Sequence, residues 1–323
     1  MKTTVILASL AAFVLSIVLG PIVLPILRRI KAGQTVREDG PQTHLQKNGT
    51  PTMGAFIYLI AASIVVPFVA GKFPEILPVF FLTLAFAVIG FIDDFIKVVL
   101  KRSEGLTPIQ KFSLQIIAAA VFSFYIYKSS NCSFDAYIPF LGDKMVNFGW
   151  FNIPIAIFII VGTVNGSNFT DGVDGLETTV TSGIMAFFLV AAIGMKSGIA
   201  VLPAIFLGAL LGFLMFNVNK ALVFMGDTGS LALGGLVSGL AYALHLELYL
   251  PLIALIYFAE VLSVVIQVSY FKATHGKRIF RMTPIHHHFE LGGWSEAKVV
   301  AVFATITVVL CALALLFIPT VSF

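Results

Sequence analysis

Apolar runs of roughly 17 to 25 residues recur along the whole of this sequence, each long enough to cross a hydrocarbon layer of about 30 Å as a helix. In lipid the backbone must satisfy its own hydrogen bonds, which a helix does within one segment. The fold class expected is therefore all-α: a polytopic membrane protein of about ten transmembrane helices, near residues 3–27, 54–70, 76–100, 112–127, 151–167, 175–195, 199–217, 229–245, 249–270 and 298–319. Composition agrees, with 59% hydrophobic residues, 11% charged and a mean hydropathy of +1.00. Residues 1–323 read as one integral domain, with no internal repeat. The first run follows Lys2 but is too long for a signal-peptide core and reads as a retained anchor.

Only two cysteines occur, Cys132 and Cys311, which excludes a disulfide framework or a cysteine metal site. A formal charge of +4 suggests nucleic acid less than topology, because the basic residues sit at the ends of apolar runs. If loops alternate sides, fifteen lysines and arginines fall on one side, in the stretches Arg28 to Lys47, Lys97 to Lys111, Lys220, Lys272 to Arg281 and Lys298. Five fall on the other: Lys2, Lys72, Lys128, Lys144 and Lys196. The positive-inside rule makes the first side cytoplasmic and puts both termini outside. The polar motifs lie on that same side, which favours an interfacial enzyme over a transporter with midplane sites.

Three acidic stretches stand out. Asp93 and Asp94 close the third run, at a helix C-terminus whose dipole disfavours anions, so a cation is required: Lys97, within pairing distance on a helix, or a hard divalent ion such as Mg²⁺. Asn165 to Gly175 carries Asp171-Gly172-x-Asp174-Gly175, where glycines let backbone N–H groups approach a phosphate and the two acids suit a metal; a turn with helix caps is the plainer reading. Phe224 to Ser230 opens the eighth run with Gly226-Asp227-Thr228-Gly229-Ser230, which suits helix capping and equally an anion site at a helix N-terminus.

The loop before the last run holds Pro284-Ile285-His286-His287-His288-Phe289-Glu290. Zinc is disfavoured there, because consecutive histidines diverge and no cysteine completes a site; phosphate contact fits better. Lys47 to Met53 adds a basic residue and a Gly-Thr-Pro-Thr turn. Glu260 and Gln267 share a face of the ninth run, as a packed polar pair or, for Gln267, a ligand contact.

Together, Asp93-Asp94-x-x-Lys97, Asn168-x-Thr170-Asp171-Gly172-x-Asp174-Gly175 and Gly226 to Ser230 resemble motifs of the polyprenyl-phosphate N-acetylhexosamine-1-phosphate transferases, across essentially the whole chain. The Pro284 to Glu290 segment is similar to the MraY branch, which acts on phospho-MurNAc-pentapeptide. The resemblance implies ten transmembrane helices, a homodimer, a bacterial cytoplasmic-membrane location, and Mg²⁺-dependent transfer from UDP-MurNAc-pentapeptide to undecaprenyl phosphate, giving lipid I and UMP. It implies Asp227 as the Mg²⁺ ligand, Asp93 and Asp94 in catalysis, and His286 on the substrate phosphates. Asn165, Asn168, Asp171, Gly172 and Asp174 would line the nucleotide side, with Phe224 stacking on the base. Lys47, Thr52, Lys97, Lys111, Asn217, Gln267 and His287 follow as further substrate contacts. Ala55 and Val173 depart from the commonest pattern, where glycine and leucine are usual. A transferase for UDP-GlcNAc and a secondary transporter are the alternative functions. Which aspartate acts as base, and whether transfer takes one step or two, stay open at the level of sequence.

Overall fold

The computed structural model describes residues 1–30, 49–98, 100, 105–128 and 134–318. The helices are α1 (Lys2–Arg29), α2 (Phe56–Ala70), α3 (Ile76–Val98), α4 (Pro108–Lys128), α5 (Asn152–Thr170), α6 (Leu176–Gly194), α7 (Val201–Asn217), α8 (Asp227–Ala243), the single turn α9 (Leu250–Ile253), α10 (Leu255–Ala273), the short α11 (Ile285–Glu290) and α12 (Glu296–Leu315). Strands β1 (Ala136–Tyr137) and β2 (Met145–Val146) pair antiparallel. The expectation of an all-α multi-pass membrane protein is met: eight helices among the described residues are long and apolar enough to cross a membrane.

The two remaining runs form shorter helices for physical reasons. Residues Pro51 to Ala55 leave the helix to pair with the stretch before α8, through Phe224 N to Pro51 O at 2.8 Å and Gly54 N to Phe224 O at 2.8 Å, so α2 has 15 residues. The 17-residue α8 is buried along its length from Thr228 to Tyr242, so it meets protein where the outer helices meet lipid. Outer faces carry bare apolar side chains, among them Phe68, Ile109 and Phe158, each more than three-quarters exposed, as lipid-facing positions require.

Helix α8 packs against α3 and α5 at the centre. One end of the bundle gathers the C-termini of α3, α5 and α7 with the N-termini of α6 and α8 and the segment carrying α11, joined by the side-chain bonds described below. The opposite end carries the β-hairpin, tied on by Tyr137 N to His245 O at 2.9 Å, and the Tyr249 hydroxyl, which donates to Phe317 O at 2.9 Å.

Candidate active site

Helix α8 begins at Asp227 with Gly226 at its N-cap and no cap from its own side chains. The cap comes from α3 instead. Asp94 Oδ2 accepts from Thr228 N at 2.8 Å and Thr228 Oγ1 at 2.6 Å, and Oδ1 from Asp227 N at 3.2 Å. Free N–H groups and the positive end of a helix dipole are good partners for a carboxylate, so the anion disfavoured at the end of α3 is stabilised by the start of α8. The helices come close enough for this because position 90 is glycine: a Cβ there would run into the Asp227 backbone.

Asp93 turns the other way. Its Oδ1 accepts from Leu106 N at 2.7 Å, while Oδ2 lies 2.6 Å from Lys97 Nζ and 3.7 Å from Lys111 Nζ. Asp227 receives both lysines on Oδ2, Lys97 at 2.8 Å and Lys111 at 2.9 Å, and Asn168 Nδ2 on Oδ1 at 2.8 Å. Asn168 also donates to Ser230 Oγ at 2.8 Å, fixing the end of α5 on the first turn of α8. Lys97, expected near either aspartate of α3, pairs with Asp93 and Asp227.

Ligand oxygens of Asp93, Asp94 and Asp227 lie within 4.8 Å of one another, a cluster that can hold a metal ion. Hard carboxylate donors beside room for phosphate suit Mg²⁺ better than a soft metal. Beside the cluster opens a cavity of about 790 Å³, with Asp93, Lys97, Lys111, Gln115, Asn165 and Asn168 at its polar end. Its other walls are apolar, from Leu106, Ile109, Phe112 and Phe169, and Ile109 and Phe112 are exposed on the outer surface of α4.

The loop between α5 and α6 flanks the other side of the cluster. Asp171 is partly buried there, and its carboxyl is held well above the usual range, first by burial and then by the charges of Glu177, Asp227 and Asp94. Asp174 is buried and accepts from Ala221 N at 3.0 Å, so it also pins the loop before α8. Gly172 lies against the His286 imidazole, where a Cβ would collide with the ring. Thr52 is buried beside Gly226, and Phe224 is half-buried in the same loop pair.

Several expected contacts have structural partners of their own. Asn217 is buried between Thr178 Oγ1, 2.7 Å, and Val223 O, 3.1 Å. Asn165 donates to Gln115 Oε1 at 2.7 Å and to Val161 O at 2.8 Å. Gln267 holds the backbone of Ile279 and Phe280. His287 Nδ1 lies 2.8 Å from Glu290 Oε2, and these two with His286 form a second group compact enough for a metal. Lys47 lies outside the described residues.

One buried polar knot had no counterpart in the sequence reading. Glu177 accepts from Ser167 Oγ at 2.6 Å, Thr181 Oγ1 at 2.9 Å and the Tyr257 hydroxyl at 2.7 Å, and Ser167 also reaches Ser230 O at 2.6 Å. It ties α5, α6, α8 and α10 together beneath the site. The available signal was Ser167 and Glu177, polar residues flanking the Asp-Gly loop.

The sequence profile described as glycosyl transferase family 4 matches residues 76–245, the span from α3 through α8 that builds this cluster. Curated proteins named phospho-N-acetylmuramoyl-pentapeptide-transferase match almost the whole chain. That of Acetivibrio thermocellus is 50% identical over 94% of this chain and 92% of its own, and that of Clostridioides difficile 51% identical over 94% of each. That of Clostridium perfringens strain 13 is 44% identical over 96% of this chain and 97% of its own. The chain belongs to the phospho-N-acetylmuramoyl-pentapeptide-transferase family. Family membership covers the histidine segment too, since 285–290 lies inside the aligned length of relatives that span more than nine-tenths of the chain, although it falls outside the glycosyl transferase profile.

Proposed function

We propose that this protein transfers phospho-MurNAc-pentapeptide from UDP-MurNAc-pentapeptide to undecaprenyl phosphate, forming lipid I and UMP for peptidoglycan synthesis. The observation that carries the acceptor side is the two-natured cavity: lysines and carboxylates at one end, apolar walls open to lipid at the other. A phosphate on a long hydrocarbon tail needs both. Lys111 and Lys97 are placed to receive its charge, and Asp93 Oδ2 between them is placed to take its proton. Asp94 is engaged on the first turn of α8, so Asp93 is the base and Asp94 the residue that holds Asp227 in place.

Asp227, with Asp93 and Asp94 beside it, would hold Mg²⁺. When bound, the ion supplies neutralisation of charge on the donor's diphosphate and the leaving UMP. The protein's own residues do the remaining work. Asn168 orients the Asp227 carboxylate, His286 contacts the donor phosphates, and Asp171, Gly172, Asp174 and Phe224 face the nucleotide. Attack by the lipid phosphate on the sugar-linked phosphorus then needs a single in-line step. Inversion at that phosphorus in a chirally labelled donor is the expected outcome, and retention would establish an aspartyl-phosphate intermediate.

The proposal extends to ten membrane crossings by α1 to α8, α10 and α12, to the site facing the cytoplasm across a bacterial inner membrane, and to a homodimer of single-domain chains. The deciding experiment gives purified protein lipid phosphate, Mg²⁺ and either UDP-MurNAc-pentapeptide or UDP-GlcNAc. UMP should appear with the first donor only; UMP from UDP-GlcNAc alone, or from neither, overturns the reading. Asp227→Ala should lose turnover by at least about a thousandfold while keeping its fold, because it removes the residue on which both lysines and the ion converge.

A further inference from the structure

Glu260 and Gln267 stand seven residues apart on one face of α10, both buried, and both serve the histidine segment. Gln267 Oε1 accepts from Ile279 N and Phe280 N at 3.0 Å each, and its Nε2 donates to Phe280 O at 2.9 Å, which fixes the approach to α11. Glu260 Oε1 lies 3.1 Å from His286 Nδ1, with both side chains sealed from solvent. The other imidazole nitrogen, Nε2, is buried without a hydrogen-bond partner and lies against Gly172 in the acidic loop. A buried, unpartnered ring nitrogen is costly, and here it points at the loop expected to line the donor.

We propose that Glu260 is the positioning residue for His286. Its carboxylate takes the Nδ1–H, fixes the ring's orientation and tautomer, and leaves Nε2 as the one nitrogen that can carry a proton to a phosphate oxygen of the donor diphosphate. This rests on the reading of His286 as a phosphate contact. An ionised carboxylate only accepts hydrogen bonds, so the proton between the two groups belongs to Nδ1. The carboxylate behind the ring also holds the imidazole plane in place, so that Nε2 stays aimed at the acidic loop. Other titratable groups around the ring are His287, whose ring centroid lies 4.1 Å away and which pairs with Glu290, and Asp171 and Asp174, which flank Gly172. Gln267 sets where the segment begins, and Glu260 sets which way its functional nitrogen faces.

The test uses the full chain with Glu260→Gln, His286→Ala and the double variant, plus ¹⁵N-histidine spectra in which the His286 signal is the one lost in His286→Ala. Gln keeps the volume of Glu, so the fold should hold, while turnover falls by about 10–100-fold, by analogy with removal of the carboxylate behind a metal-bound imidazole. The double variant should be no worse than His286→Ala. The His286 signal should report Nδ1–H in the parent and shift in Glu260→Gln. Parent-like turnover in Glu260→Gln beside an inactive His286→Ala overturns this proposal alone, as does a loss that adds in full to that of His286→Ala. Parent-like turnover in His286→Ala overturns the phosphate-contact reading, and the proposal with it. Should Glu260→Gln fail to fold, the parent spectrum decides, since an Nε2–H tautomer there overturns the proposal.

Discussion

Asp93 and Asp94 are neighbours in sequence and nearly equal in burial, yet their surroundings give them different work. Asp94 closes the first turn of α8, so Asp94→Ala removes a cap and leaves Thr228 N and its hydroxyl without their acceptor. Loss of about 1–2 kcal/mol of stability is expected, with a lower thermal midpoint in detergent, together with loss of turnover as Asp227 shifts. Asp93→Asn keeps an acceptor for Leu106 N and should lose turnover with a midpoint close to the parent's. Equal midpoints for the two variants would show that Asp94 is no cap. Nothing local separates the pair: both stand at a helix end in need of a cation, and the partner that distinguishes them lies 133 residues away. Asp227 is legible as a helix-start residue because acid, threonine and serine before an apolar run suit capping, whereas a metal role comes only from the resemblance of its motif.

At the scale of elements, α8 is the member everything else is built around, and its first turn is located by the close approach of α3 at Gly90. Gly90→Val would push against the Asp227 backbone and displace the carboxylate although no site residue is itself substituted. Turnover should collapse in this variant and persist in Gly71→Ala, a helix-end glycine with open space around it. Persistence in both would separate α3 packing from catalysis. Helix positions were legible because unbroken apolar runs have one solution in lipid, whereas the pairing of 51–55 with 223–225, which shortens α2, involves residues far apart in sequence. The connector after α8 offers a pH test. Burial first, and the nearby Asp135 second, push the Glu247 carboxyl up to about 8 from 4.5. Between those values the unfolded chain has released a proton that the folded one keeps. Stability should therefore fall as pH rises, by at most about 1.4 kcal/mol per unit from this group, and level off above about pH 8. Glu247→Gln should flatten that slope in thermal midpoints measured from pH 5 to about 9; an unchanged slope would place the titrating group elsewhere.

For the molecule as a whole, the asymmetry of fifteen basic residues against five makes a statement about sides that the fold sharpens, because the carboxylates, the lysines that meet them and the histidine segment all gather at one end of the bundle. A donor carrying a nucleotide and a peptide is water-soluble and charged, and the proposed orientation puts this end in the compartment that makes it. Lys277 lies exposed between α10 and α11 near the site, and Lys144 lies exposed in the hairpin at the other end. With Cys132→Ser as background, Cys311 is buried within α12 and should stay silent to an impermeant maleimide. Lys144→Cys should then label in intact cells and Lys277→Cys only after the membrane is opened. The reverse pattern would turn the molecule over, separating positive-inside charge from the catalytic end. Labelling of both in intact cells would mean that the two ends are not on opposite faces. The charges point to a side and the carboxylate cluster to a candidate site; a common compartment for both follows only if the helices between them cross the membrane in alternation, which is the property this labelling measures.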